Sequence, residues 1–233
     1  MKFPLYIPAL AALLSISPAS PASTCALELI LAIDVSGSVD FDEYALQQSG
    51  TAAAFEDPGV INAIAQLPGG MIATMTQWSG ISRQRQVVGW SHLSDEASIR
   101  AFASEIRNAP RLWHNFSTAI GEALAHAGSV SADAPVSCGR RVIDISGDGV
   151  SNEGPHPFSA SRRLEELGYT INGLVIRGAE PDPLEQYQNQ VIAGPGAFVE
   201  VARDFSDYPR AIRTKLLREI DQPLIVSEAF SRE

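Results

Sequence analysis

The hydrophobic and polar positions along the chain alternate between strand-like and helix-like stretches almost without interruption. Residues 27–33 (LELILAI) form an apolar run of the kind expected for a strand buried on both faces. Residues 71–78 (MIATMTQW) and 85–90 (RQVVGW) predict two neighbouring strands joined by a Gly/Ser turn. Further strands are expected over 140–146 (RRVIDIS), 170–176 (TINGLVI) and 197–202 (AFVEVA). Between them lie helices. Asp40 and Glu43 have the spacing of a capping box that opens a helix running to about Ala54. Ser94 is the expected cap of a helix whose Ile99, Phe102, Ala103 and Ile106 share one face. A second such helix carries Ile120, Ala123, Leu124 and Ala127. A third covers about 158–167 and stops at Gly168. A last helix is expected over DYPRAIRTKLLREI. The pattern predicts one three-layer, doubly wound α/β domain over residues 26–222, with a mainly parallel six-stranded sheet covered on both faces. In such sheets the working site lies beyond the carboxyl ends of the strands.

The ends of the chain read differently. Lys2, the apolar run from Phe3 to Ile16 and the small residues of SPASPAS have the layout of a secretory signal peptide, with cleavage expected after Ala22. Residues 223–233 read as a short tail. The mature product is expected to be exported, to the periplasm or beyond, and not to be an integral membrane protein. Without Lys2, the 17 basic residues become 16 against 27 acidic ones, a formal charge of −11. Such a surface repels polyanions, which argues against a nucleic-acid partner.

Candidate chemistry gathers at strand ends. In LAIDVSGSVD (residues 31–40) a buried strand runs into Asp34, Ser36 and Ser38 at every second position. Asp148, in DISGDG, lies just past the strand at 140–146, and Ser117 and Thr118 precede a helix on the same edge. Any one of these pieces alone reads as a cap or turn; three loops at one edge form a set of oxygen donors. Hard oxygen donors suit Mg²⁺, Mn²⁺ or Ca²⁺ rather than zinc or copper. Rival readings lack a necessary residue. A haloacid-dehalogenase-type phosphatase needs a second aspartate where Ser36 stands. The nearest approach to G-x-S-x-G, GVSNEG, has the wrong spacing. An EF-hand begun at Asp144 would reach Pro155 at its twelfth position. His92, His114, His126 and His156 form no metal-ligand spacing.

D-x-S-x-S after an apolar first strand, a Thr before a helix and a strand ending in Asp-Gly together resemble the von Willebrand factor type A (vWA) domain. The resemblance spans roughly residues 26–222, and it carries the family's metal-ion-dependent adhesion site onto Asp34, Ser36, Ser38, Thr118 and Asp148. It implies direct coordination by Ser36 and Ser38, by Thr118 in one conformational state, and action of Asp34 and Asp148 mainly through waters. One departure is Gly147, which stands where a Thr usually precedes the aspartate. The combination looks like an exported bacterial subgroup of unknown function. The implied function is to hold a protein or peptide carboxylate through Mg²⁺ (or Mn²⁺ or Ca²⁺), without catalysis. A metal-dependent hydrolase at the same edge and an assembly subunit of an envelope complex are the alternatives. Trp78, Trp113 and His114 are the expected partner contacts at that edge. The site needs the first strand beside the 140–146 strand. That arrangement brings Cys25 and Cys138 together just outside the opposite strand ends, as an expected disulfide.

Overall fold

All ten residues of the first strand, Cys25–Asp34, are buried, and this dictates the layering. Strand side chains alternate, so Leu27, Leu29, Leu31 and Ile33 enter one core and Ile30 and Ala32 another. A computed structural model describes residues 25–222; the expected signal peptide and the tail at 223–233 lie outside the described residues. In chain order the elements are β1 (Cys25–Asp34), α1 (Phe41–Glu56), α2 (Pro58–Ala65), β2 (Met71–Trp78), β3 (Gln84–Leu93), α3 (Glu96–Asn108) and α4 (Ile120–Ala132). There follow β4 (Cys138–Gly147), α5 (Pro157–Glu166), β5 (Thr170–Ile176) and a short α6 (Leu184–Gln186) that continues into a π-helical turn (Tyr187–Val191). β6 (Val199–Ala202), a 3₁₀ turn (Phe205–Asp207) and α7 (Tyr208–Asp221) complete the fold.

The sheet order is β3-β2-β1-β4-β5-β6, with only β3 antiparallel to its neighbour. Helices α1, α2, α3 and α7 supply the first core, where Phe55 and Phe102 meet edge to face at 5.1 Å. Helices α4 and α5 and the π-helical turn supply the second. The structure is thus the doubly wound, six-stranded α/β fold that the hydrophobic pattern predicts. No helix of the described residues is long and apolar enough to cross a membrane.

Local boundaries moved where side-chain chemistry decided them. The expected capping box of α1 is present: the Glu43 amide donates to Asp40, and the Asp40 amide donates to Glu43. The cap of α3 is Asp95, not Ser94, because the shorter reach from its carboxylate takes the Ser98 amide at 2.8 Å. β6 starts at Val199, two residues later than expected, because the Phe198 amide donates to the Asn172 side chain.

The register of β1 on β4 positions everything that follows. Cys25 pairs with Cys138, and Ile33 pairs with Ser146. The two cysteines form a disulfide with α-carbons 4.6 Å apart. They do not stand outside the strands, as expected, but are the first residue of each. The one-residue difference in their spacing to the aspartates is taken up at the other end: Asp34 lies beside Gly147, and Asp148 comes one step later.

Under α7 lies a fully buried ionic cluster that sequence left without an account. Lys215 reaches Asp144 at 2.8 Å and Glu219 at 2.5 Å, and all three are 0 % exposed. Asn172 donates to Glu219 at 2.8 Å. One ammonium serves two carboxylates, and burial raises both acids, Glu219 to about 7. A carboxyl raised in the folded state contributes stability below its unfolded value that is lost as pH rises through its folded value. The Glu219→Gln protein therefore lacks a decline that the parent shows between pH 4.5 and about 7, worth about 3 kcal/mol. Urea denaturation at pH 4.5 and 7.5 checks this; parallel pH profiles would contradict it. Lys215→Met leaves two uncompensated buried acids and should cost about 3–5 kcal/mol at pH 7.5.

Candidate metal centre

At the carboxyl edge the β1–α1 loop folds its own polar groups inward. The Ser36 amide donates to Asp34 Oδ1 at 2.7 Å, and the Ser36 and Ser38 hydroxyls lie 3.2 Å apart. Ser38 donates to Asp148 Oδ1 at 2.8 Å. Asp34, Ser36, Ser38 and Asp148 thus form one continuous chain of contacts across two loops separated by more than a hundred residues. Asp34 and Ser36 are fully buried, Asp148 is nearly so, and Ser38 is exposed. The arrangement is a small polar bowl with its mouth at Ser38.

Thr118 is brought to the bowl by the loop after Asp148. Its amide donates to Asn152 Oδ1 at 2.9 Å, and its carbonyl accepts from the Asn152 amide at 2.9 Å. A β-carbon on Gly149 would stand 3.6 Å from the Thr118 hydroxyl oxygen, an ordinary contact distance, which places the threonine beside the Asp148 loop. Gly37 lets the α3–α4 loop approach closely on the other side. Its amide donates to the Phe116 carbonyl at 2.8 Å, and a β-carbon there would press on the Asn115 backbone at 3.2 Å. The structure therefore assembles in one place all five residues singled out in the sequence.

The electrostatics define what is missing from protein chemistry alone. Burial, and the neighbouring Asp148, push Asp34 up to about 8; burial also raises Asp148. Asp34 Oδ2 is buried without a hydrogen-bond partner. Two buried carboxylates are relieved either by a proton or by positive charge beside them, and the Ser36, Ser38 and Thr118 hydroxyls stand at the same place. That donor set fits a hard divalent cation. Among the described residues no group of three or more His, Cys, Asp or Glu side chains could hold a metal. The bowl is of another kind, built from two carboxylates and hydroxyls.

Two residues that the sequence reading missed hold the bowl in shape. Arg111 sends Nη2 to the carbonyls of Val35, Ser36 and Val39, Nη1 to that of Asp40 and Nε to that of Trp113. Its guanidinium also lies over the Tyr44 ring at 5.6 Å. One planar group thus clamps the loop that carries Asp34, Ser36 and Ser38. Buried Gln77 takes the Leu112 amide and donates to the Tyr44 hydroxyl and the Pro110 carbonyl, tying the Arg111 segment to β2. Neither has a local sequence signal, because apart from the Trp113 carbonyl every partner is distant along the chain.

The expected partner contacts fare unequally. Trp78 is 0 % exposed and belongs to the second core, so it is no surface anchor. Strand alternation sends it to the face opposite Met71, Ala73 and Met75, under α4. Trp113 is half-buried against Val35, Val39 and Tyr44, and His114 is exposed. The edge has other apolar side chains that were not foreseen. Among the described residues, five of the eight exposed large hydrophobics (Phe41, Ile81, Leu112, Phe116 and Phe158) lie on loops or helix starts at this edge. Arg83 lies 3.7 Å over the Phe116 ring and joins the β2–β3 turn to that rim.

The sequence matches the profile of the family described as "Protein of unknown function (DUF1194)" over residues 24–224. The chain belongs to that family. No curated protein matches it by sequence. Solved structures of similar fold include proximal thread matrix protein 1 from the mussel byssus with a zinc-occupied MIDAS motif, at 15 % identity and a TM-score of 0.61. That match covers 85 % of this chain and 47 % of the mussel protein. A von Willebrand factor type A protein from Catenulispora acidiphila matches at 21 % identity and a TM-score of 0.56, covering 84 % of this chain and 42 % of that one. This chain thus spans less than half the length of either. The vWF domain of the type V pili tip protein Mfa5 from Porphyromonas gingivalis matches at 11 % identity and a TM-score of 0.56, over 87 % of this chain and 98 % of that one. These likenesses establish a vWA-type fold.

If Arg111 is the clamp, Arg111→Met should release the β1–α1 loop. Hydrogen bonds from a charged donor contribute about 1.5–3 kcal/mol, so exchange protection at the Gly37 and Val39 amides should fall at least tenfold. Native-state hydrogen exchange reads this directly. Unchanged protection at both amides would show that the loop holds itself.

Proposed function

We propose that this member of the family is an exported binding protein that holds a protein or peptide ligand through a divalent cation at Asp34, Ser36, Ser38, Thr118 and Asp148. The observation that carries the reading is the continuous cluster of Asp34, Ser36, Ser38 and Asp148, in which two buried carboxylates are joined only through neutral hydroxyl and amide groups. Ser36, Ser38 and Thr118 face the cation as neutral ligands, and Asp34 and Asp148 act from an outer layer. Two carboxylates and three hydroxyls leave a divalent ion able to attract one more anionic oxygen. A carboxylate of another molecule supplies it. The oxygen-only donor set favours Mg²⁺, Mn²⁺ or Ca²⁺; the zinc named for the mussel protein belongs to that structure.

The apolar rim of Phe41, Ile81, Leu112, Phe116 and Phe158 suits a protein surface better than a small polar metabolite. With Trp113 and His114 it forms the proposed contact surface around the ion. A disulfide between Cys25 and Cys138 accords with an oxidising compartment, hence with export. The site in this reading holds a ligand and transforms nothing.

Calorimetry with Mg²⁺ on Ser38→Ala and Thr118→Ala tests the assignment: each should weaken binding more than tenfold. Parent affinity in both variants would remove it. Capture from an extract of the host's own envelope, with and without chelator, addresses the partner. The reading expects a polypeptide that chelator releases and that Asp34→Ala fails to retain. Turnover of a simple phosphoester, abolished by Asp34→Ala, would replace binding with metal-dependent hydrolysis.

A further inference from the structure

A fourth segment reaches the bowl from the second core. Gly147, the last residue of β4, and Gly173, in β5, lie on the same face of neighbouring strands. Glycine weakens a strand and marks a place where something approaches closely. Here both make room for Tyr187. A β-carbon on Gly173 would stand 2.7 Å from Tyr187 Cδ1. One on Gly147 would stand 2.8 Å from the Tyr187 hydroxyl and 2.9 Å from Asp34 Oδ2. The ring therefore lies on bare backbone, and its hydroxyl points into the gap beside the metal-site carboxylate.

Two buried groups meet there unfulfilled. Tyr187 is 0 % exposed and its hydroxyl has no hydrogen-bond partner, as is true of Asp34 Oδ2. Native proteins rarely leave such groups unpaired, because a buried polar group without a partner is costly. One is a donor and the other an acceptor, across the space that Gly147 keeps open. The same segment touches the site a second time, where Gln186 Oε1 accepts from the Ser151 amide at 2.6 Å in the loop after Asp148. Tyr187 also opens the π-helical turn, with the Ile192 amide donating to its carbonyl at 3.0 Å. Such turns are rare and often sit at functional sites.

We propose that Tyr187 is a positioning residue for the cation site: on cation binding its hydroxyl donates to Asp34 Oδ2 across the Gly147 gap and fixes the carboxylate toward the ion. This rests on the cation reading above. It also accounts for Gly147, the position where the chain departs from the usual Thr, since a side chain there would fill the gap. Groups that orient a metal ligand typically contribute 10–100-fold to affinity.

The test is Mg²⁺ calorimetry and thermal unfolding of Tyr187→Phe, which keeps the ring and removes only the hydroxyl. Affinity should fall about tenfold or more. The unfolding midpoint without cation should stay level or rise, because an unpaired buried hydroxyl has gone. The tyrosine ultraviolet difference signal that Mg²⁺ induces in the parent should shrink in the variant. Gly147→Ala, whose β-carbon would come between the Tyr187 hydroxyl and Asp34 Oδ2, should lose affinity likewise. Parent-like affinity in either variant would overturn the proposal while leaving the cation site standing. So would a Tyr187→Phe loss matched by an equal fall in cation-free stability, which would mark the hydroxyl as merely structural. A parent protein that binds no divalent cation would remove the cation reading and this proposal with it.

Discussion

The structure turns on the parallel pairing of β1 with β4. Cys25 faces Cys138 at one end, and eight residues on, Ile33 faces Ser146. That register delivers Asp34 and Asp148 to the same edge, one step apart, and buries both. Two carboxylates out of water are costly: burial raises both, and the neighbouring Asp148 raises Asp34 further. The surroundings can be understood as a response to that cost. Hydroxyls from Ser36 and Ser38 bridge the acids, and Thr118 is drawn in by Asn152.

A site of this kind works only if its loops keep their shape without the ion. Arg111 provides that on one side by gathering five backbone carbonyls, four of them from the loop that carries Asp34. The α6 segment supports the other side through Gln186 and places Tyr187 on two glycines. The disulfide closes the opposite end of the sheet, and the Lys215 cluster lies under α7 against the middle of β4 and β5. Rigidity is therefore concentrated behind the site, and exposed apolar side chains are concentrated around its mouth.

How much of this was legible in the sequence depended on the range of each interaction. D-x-S-x-S was legible because strand alternation and a short loop place all three side chains together locally. β1 was legible as doubly buried from its apolar run, and the capping box of α1 from two residues three apart. Trp78 was misplaced because an aromatic at a strand end reads the same whether a helix covers it or not; only the packing of α4 decides. Arg111, Gln77 and Tyr187 were invisible because the contacts that give them their roles join segments far apart along the chain. The one local trace of Tyr187 was a pair of glycines inside strands, at 147 and 173, where glycine needs a reason.

The central claim is that a divalent cation sits between these loops. Anomalous X-ray scattering from crystals soaked in Mn²⁺ tests it most directly. The account predicts a single strong peak within bonding distance of the Ser36 and Ser38 hydroxyls, flanked by Asp34 and Asp148. A map without a peak there, or with the ion held only elsewhere on this acidic surface, would contradict it.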